Sequence, residues 1–216
     1  QTGEIIAITS KPSFDPNKFA AGISSQNWKA LVTDEWHPLQ NRSIHGQYPP
    51  GSTYKIVTAL AGLEEGVIKP DTSVFCPGHF KLGRGLYRCW KKSGHGFMNL
   101  HDALVQSCDV YFYTIGHRLG IDTIAKYAKR SGLGRPTRLG LSREKKGLVP
   151  TTQWKLLNKN EPWQLGETIS ASIGQGFNLV TPIQQVILMA AVANRGILLK
   201  PYLVKRIEGP EGQIQK

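Results

Sequence analysis

The chain has 216 residues, 40% of them hydrophobic and 19% charged, enough to bury the core of one folded domain and far from the composition of a disordered segment. Its net charge of +12 is carried by Lys and Arg scattered along the chain, with only short clusters such as 143–146. No groove-reading helix, RNA-binding aromatic motif or phosphate-cradling glycine loop accompanies that charge, so it argues against nucleic acid and for an anionic cell-wall polymer or membrane surface, and no run reaches the ~18 apolar residues of a membrane span.

Residues 4–9 are β-rich behind a Thr-Gly turn signal and predict a strand. Between 11 and 50, Pro12, Pro16, Pro38, Pro49 and Pro50 interrupt the helical runs, leaving loop with one short helix over 25–32. The first long helix is predicted over 52–65, burying Ile56, Leu60 and Leu63 and ending before Gly66. Asn99 caps a helix that runs to 105, a second covers 110–119 and stops at Gly120, and a third covers 122–131 and stops at Gly132.

The helix over 181–194 opens on a capping box, Thr181 with Gln184, has Pro182 at its first position and Gly196 beyond its end. The apolar stretch 183–199 includes Gln184, Gln185, Asn194 and Arg195, so it reads as a buried helix and the strand after it. Alternation over 203–208 predicts a strand, and Gly209-Pro210-Glu211-Gly212 a hairpin turn into a return strand. A sheet holding only 4–9 and 203–208 would be small and edge-exposed. The expected fold class is therefore α/β (α+β), a helical cluster packed on an antiparallel sheet, with further strands beyond residue 216.

Two motifs carry chemistry. A serine that opens a helix, Ser52, has its Oγ near unpaired backbone N–H groups, and Lys55 at i+3 lies on the same face. Serine needs an adjacent base to attack at neutral pH, and a lysine can supply one. A bare Ser-x-x-Lys also arises as an N-cap serine with a surface lysine. Ser107-Cys108-Asp109 changes the balance, because Ser-x-Asn or Ser-x-Asp after Ser-x-x-Lys is the order used by penicillin-recognising serine acyltransferases. Their third motif, Lys-Thr-Gly, is absent. Lys92-Ser93-Gly94 has an acceptable spelling but precedes Ser107, so it reads as a coincidence.

Cys76, Cys89 and Cys108 are the only cysteines. With His95 they form Cys-x12-Cys-x5-His-x12-Cys, four soft or borderline donors, the number a closed structural zinc site requires. The pattern has no tight Cys-x-x-Cys knuckle, and His79 and His101 compete as ligands. A Cys76–Cys89 disulfide with Cys108 free, and three buried thiols, stay open beside it.

The flanking residues add a resemblance. Tyr48-Pro49-Pro50-Gly51-Ser52-Thr53-Tyr54-Lys55, Tyr87-Arg88-Cys89-Trp90-Lys91-Lys92-Ser93-Gly94-His95-Gly96, the run from Gln106 to Tyr113, Thr2-Gly3-Glu4-Ile5-Ile6-Ala7-Ile8, and Ser172-Ile173-Gly174-Gln175-Gly176 through Thr181-Pro182-Ile183-Gln184 resemble the transpeptidase domain of the penicillin-binding protein 2 group, the class B enzymes of rod-shape elongation. The resemblance runs nearly end to end. It implies a peptidoglycan D,D-transpeptidase acylated by β-lactams, with Ser52 as nucleophile, Lys55 as its base, Ser107 as proton relay and Asp109 orienting the lysine or the substrate amide. It implies stem peptides as substrates, an elongation glycosyltransferase and scaffold proteins as partners, and no organic cofactor.

It also strengthens the zinc reading at Cys76, Cys89, His95 and Cys108, since members of the group hold zinc at matching positions, some with aspartates in place of Cys76 and Cys89. A zinc there would anchor the loop that carries Ser107. The implied setting is the periplasmic face of the inner membrane, with an anchor, a pedestal domain and the C-terminal strands lying outside these residues, and with this stretch impaired in acylation by itself. The same first two motifs serve D,D-carboxypeptidases, β-lactamase-type hydrolases and non-catalytic penicillin sensors. A scaffold module would need neither.

Overall fold

The computed structural model describes residues 2–20, 22–210, 212, 214 and 215. In chain order its helices are α1 Asn17–Ala20, α2 Ser25–Thr33, α3 Arg42–His45, α4 Lys55–Glu64, α5 Leu100–Val105, α6 Asp109–Leu119, α7 Ile121–Arg130, α8 Thr152–Lys159, α9 Leu165–Ala171 and α10 Pro182–Ala193. A 3₁₀ turn, Gly51–Tyr54, leads into α4. The strands are β1 Val74–Cys76, β2 His79–Leu82, β3 Gly85–Arg88, β4 Gly96–Met98, β5 Ile207–Glu208 and β6 Ile214–Gln215. They pair as three two-stranded antiparallel sheets, β1 with β4, β2 with β3 and β5 with β6. No helix among the described residues is long and apolar enough to cross a membrane.

One compact unit comprises Tyr48–Arg135 and Gly147–Val180. Its core is α6, whose Val110, Tyr111, Phe112 and Ile115 are all but inaccessible and which packs on α4, α7 and α9. The predicted stripe on the first long helix is overturned. Val57, Thr58 and Ala61 are the buried face of α4, whereas Leu60 and Leu63 are each 38% exposed. Close approach explains the choice: a Cβ on Gly62 would sit 3.0 Å from Ile68 and 3.1 Å from Ile115, so the small residues face the crowded side. Helices α8 and α9 and the strands β1–β4 have no counterpart in the sequence reading.

Caps at helix ends match the predictions. Asn99 Oδ1 accepts from Asp102 N–H at 2.8 Å, and Gly120 ends α6 at φ +74°. At the α6–α9 contact a Cβ on Gly116 would stand 2.3 Å from Ser172 Cβ. Ser172 cannot retreat, because its Oγ donates to the Ile169 carbonyl and its own carbonyl accepts from Thr58 Oγ1, both at 2.7 Å. Gly116→Ala is expected to destabilise the unit by about 1–3 kcal/mol, read as a lower thermal midpoint.

The other unit comprises Gln1–Gln47, Pro136–Lys146 and Thr181–Lys216, centred on Ile44, Leu139 and Ile183 with Ile5, Ile8 and Ile187 packed around them. Helix α2 is capped by Ser24 as a short helix near 25–32, while α1 and α3 add turns to a stretch predicted as loop. The capping box of α10 is formed as predicted: Gln184 Oε1 accepts from Thr181 N–H at 2.9 Å.

Three strand expectations are corrected here. Residues 4–9 form a single parallel bridge, Glu4 with Tyr202, instead of a strand. Residues 194–199, directly after α10, form no strand, and α10 itself is only half-buried, with Val186 57% and Val192 54% exposed. Within 203–208 only Ile207–Glu208 pairs, with Ile214–Gln215, across a turn closed by Gly212 N–H to the Gly209 carbonyl at 3.0 Å. Glu211 lies outside the described residues. Alternation selects the face of a strand but does not supply a partner for its N–H and C=O groups, and these segments have little to pair with.

Candidate active site

Gly51 turns the chain out of Pro49-Pro50 at φ +59°, and its N–H donates to the Gly174 carbonyl at 3.0 Å. Gly174 admits that approach because it lacks a side chain: a Cβ there would be 2.3 Å from the Gly51 carbonyl oxygen and 2.7 Å from Tyr54 Cβ. The result is a 3₁₀ turn where an α-helical start is predicted, so Ser52 precedes α4 and Lys55 begins it. In a 3₁₀ turn i and i+3 eclipse, which keeps both side chains on one side. Ser52 is exposed, whereas Tyr54 beneath it is buried.

The Lys55 side chain is 2% exposed and saturated with acceptors. Its Nζ donates to Asp109 Oδ1 at 2.6 Å, the Ser107 carbonyl at 2.8 Å and Ser107 Oγ at 2.9 Å. Ser107 Oγ in turn donates to Ser52 Oγ at 3.1 Å. The four residues singled out from the two motifs therefore converge, and the bond to Ser52 Oγ comes from Ser107. Asp109 occupies the first turn of α6, where the helix N-terminus favours a carboxylate.

Trp90, without an assigned role in the sequence reading, ties this centre together. Its indole Nε1–H donates to the carbonyls of Gln106 and Ser107, each at 3.1 Å, and its backbone N–H donates to Asp109 Oδ2 at 3.0 Å. Ser107 is held at φ +51°, a left-handed conformation that costs a non-glycine residue about 1–2 kcal/mol, and these bonds oppose its relaxation. The only signal in the sequence was adjacency to Cys89. Trp90→Phe keeps an aromatic ring but removes the indole donor; if Ser52 is the nucleophile that the two motifs lead one to expect, the variant of the full-length protein is expected to be acylated about 10-fold more slowly, with little loss of thermal stability, by stopped-flow labelling.

The other face of the Trp90 ring meets His95 edge-on, with centroids 5.2 Å apart. Cys76, Cys89, His95 and Cys108 place one donor atom each within 4.8 Å of one another. Strands β1 and β4 cause this, pairing Cys76 with Gly96 and folding the chain back so that His95 N–H reaches the Cys76 carbonyl at 3.0 Å. His95 Nδ1 lies 3.6 Å from Cys76 Sγ and 3.5 Å from Cys89 Sγ. A tetrahedral zinc with Zn–S ~2.3 Å and Zn–N ~2.0 Å sets that edge at about 3.5 Å, so the donor set fits the ion.

All three cysteines are buried and free, and no disulfide joins them. Burial, reinforced by the Cys76 thiol, pushes the Cys108 thiol up to about 12, partly offset by the Tyr111 N–H. Burial and then the nearby Lys91 charge hold His95 below the usual imidazole range, the neutral form a metal needs. His79 and His101 are not in the cluster; His101 is exposed and pairs with Asp102 at 3.2 Å. Lys92-Ser93-Gly94 lies in a turn ahead of β4.

Comparison with known proteins follows the same lines. The family model described as the penicillin binding protein transpeptidase domain matches residues 1–216. A relative from Acinetobacter baumannii, peptidoglycan D,D-transpeptidase MrdA, is 40% identical over 211 residues, covering 97% of this chain and 31% of its own length. The crystal structure of Pseudomonas aeruginosa PBP2 in complex with WCK 5153 superposes with a TM-score of 0.93 at 40% identity, covering 100% of this chain and 47% of that one. Helicobacter pylori PBP2 in complex with MreC gives a TM-score of 0.91 at 36% identity, covering 97% and 39%. The chain thus spans about a third of the length of the curated relative, and it belongs to the penicillin-binding protein transpeptidase domain family.

Proposed function

We propose that this chain is the acyl-transfer part of a peptidoglycan D,D-transpeptidase. The observation that carries this reading is a single hydroxyl, Ser107 Oγ, bonded at once to Lys55 Nζ at 2.9 Å and to Ser52 Oγ at 3.1 Å. Once Lys55 has shed one of the three protons it donates in the resting site, Ser52 Oγ attacks the carbonyl between the two D-Ala residues of a stem peptide, and its proton passes through Ser107 Oγ to the freed Lys55 lone pair. The C–N bond breaks, the proton passes to the leaving amine, and terminal D-Ala departs. An amine of a neighbouring stem peptide then attacks the ester and gives its proton back to Ser52 Oγ. Asp109, with one carboxylate oxygen on Lys55 and the other on the Trp90 N–H, orients the lysine. The Ser52 N–H serves as one oxyanion donor.

Cys76, Cys89, His95 and Cys108 hold a structural zinc in this reading, closed to substrate, whose chemistry is to fix the backbone on both sides of Trp90 and Ser107. β-Lactams acylate Ser52 because their ring carbonyl presents the same electrophile. The setting is the periplasmic face of the inner membrane. The Helicobacter relative was solved with MreC, and another relative in a peptidoglycan synthase complex that coordinates polymerization and crosslinking, which supports protein partners of both kinds.

The test uses the full-length protein and a fluorescent penicillin. Peptide mapping is expected to place the adduct on the peptide containing Ser52, and incubation with stem peptides to yield the cross-linked dimer rather than the trimmed monomer. An adduct on another residue of a folded protein would sink the assignment, and trimmed monomer alone would make it a hydrolase.

A further inference from the structure

The β2–β3 hairpin carries a charge that the acyl-transfer centre does not use. From 72 to 101 the chain has five Lys and Arg residues, Lys81, Arg84, Arg88, Lys91 and Lys92, and no Asp or Glu. The hairpin register sets His79 directly opposite Arg88, close enough for their side chains to share one ligand. Lys92 is brought in by backbone contact: a Cβ on Gly78 would be 2.2 Å from the Lys92 carbonyl oxygen, and one on Gly94 2.3 Å from that of Cys76. Both glycines have positive φ, +93° and +80°, so the turn carrying Lys92 lies flush against the segment that opens β2.

Gly78, His79, Leu86, Arg88 and Lys92 together line a cleft of about 360 Å³, at the small end of ligand sites. Among the described residues no ion pair or side-chain hydrogen bond neutralises His79, Arg88 or Lys92. Clustered basic groups without a counter-ion repel one another, and a bound anion removes that repulsion.

We infer that this cleft binds a carboxylate of an acidic peptide, which under the acyl-transfer reading is the acceptor stem peptide. The Arg88 guanidinium offers the fork that a carboxylate fills with two hydrogen bonds, Lys92 a second cation, and Leu86 an apolar contact for the attached methylenes. The location suits an acceptor. Arg88 is two residues, at most about 7 Å of chain, from Trp90, whose indole holds the Ser107 carbonyl. In this reading the carboxylate held in the cleft fixes the acceptor, leaving its amine to attack the Ser52 acyl group.

Calorimetry on the full-length protein tests this without turnover, so it stands or falls separately from the labelling of Ser52. The probes are a synthetic stem peptide with free side-chain and terminal carboxylates, the same peptide fully amidated, and inorganic phosphate. Wild type is expected to bind the acid form about 10-fold more tightly than the amide, Arg88→Gln and Lys92→Gln each to erase most of that difference, and Lys92→Arg to keep it. Arg88 and Lys92 are both exposed, so the variants fold. Equal affinity for the acid and amide peptides in wild type would overturn the inference, as would an acid preference that survives both glutamine variants. So would inorganic phosphate displacing the acid peptide while the amidated peptide at the same concentration does not compete with it, since the cleft would then be a phosphate site.

Discussion

Lys55→Ala is expected to slow acylation of Ser52 by a β-lactam by about 10²–10⁴-fold, the range for removal of a positioned proton acceptor. Lys55 is the only side-chain amine joined to the Ser107 hydroxyl among the described residues, and that hydroxyl is the one bonded to Ser52. The substitution also strands Asp109, whose side chain is 13% exposed, and breaking a buried pair in this way costs about 3–5 kcal/mol. Loss of activity could then reflect unfolding. The double variant Lys55→Ala with Asp109→Asn separates the two effects, because it removes the orphan charge while leaving the base absent. It is expected to regain most of the thermal midpoint and none of the acylation rate. A stable double variant that labels at the wild-type rate would remove Lys55 from the mechanism.

The second large effect concerns the metal. The full-length protein is expected to retain zinc through purification at about one ion per chain. His95→Ala should weaken zinc binding by more than the roughly 10–100-fold that loss of an outer partner costs, since a ligand itself is removed. Thermal stability should fall with it: the segment from β1 to β4 has only two short two-stranded ladders, and binding free energy there is folding free energy. Acylation should fall as well, because Cys89 and Cys108 flank Trp90 and Ser107 directly in the chain. Elemental analysis finding no metal, or mass spectrometry finding a Cys76–Cys89 disulfide, would end the zinc proposal.

How much of this was legible in the sequence divides along a physical line. Helix ends were, because a cap is a contact between residues three apart: Asn99 with Asp102 and Thr181 with Gln184 need nothing from the rest of the chain. The two motifs could be named from the sequence too, since residue type and order carry them, and their four residues converge in the fold. The four residues that cluster around His95 could be named as a set, although nothing local distinguished His95 from His79 or His101.

The faces and partners were settled by packing at long range. The apolar spacing of Ile56, Leu60 and Leu63 pointed to the wrong side of α4, because the space beside Ile68 and Ile115 admits only small residues there. The alternation in 4–9 and 203–208 marked sides without providing neighbours to pair with. The antiparallel pairing of β1 with β4 brought His95 to the three cysteines, and Gly174, far along the chain, set the 3₁₀ turn that presents Ser52. Composition and order thus determined which hydroxyl, amine, carboxylate, imidazole and thiol groups the chain offers at these sites. Only tertiary structure decided that Ser107, forced into a left-handed conformation and held by Trp90, stands between Lys55 and Ser52, because contacts spanning 17 to 55 residues leave no periodic or local trace in the chain.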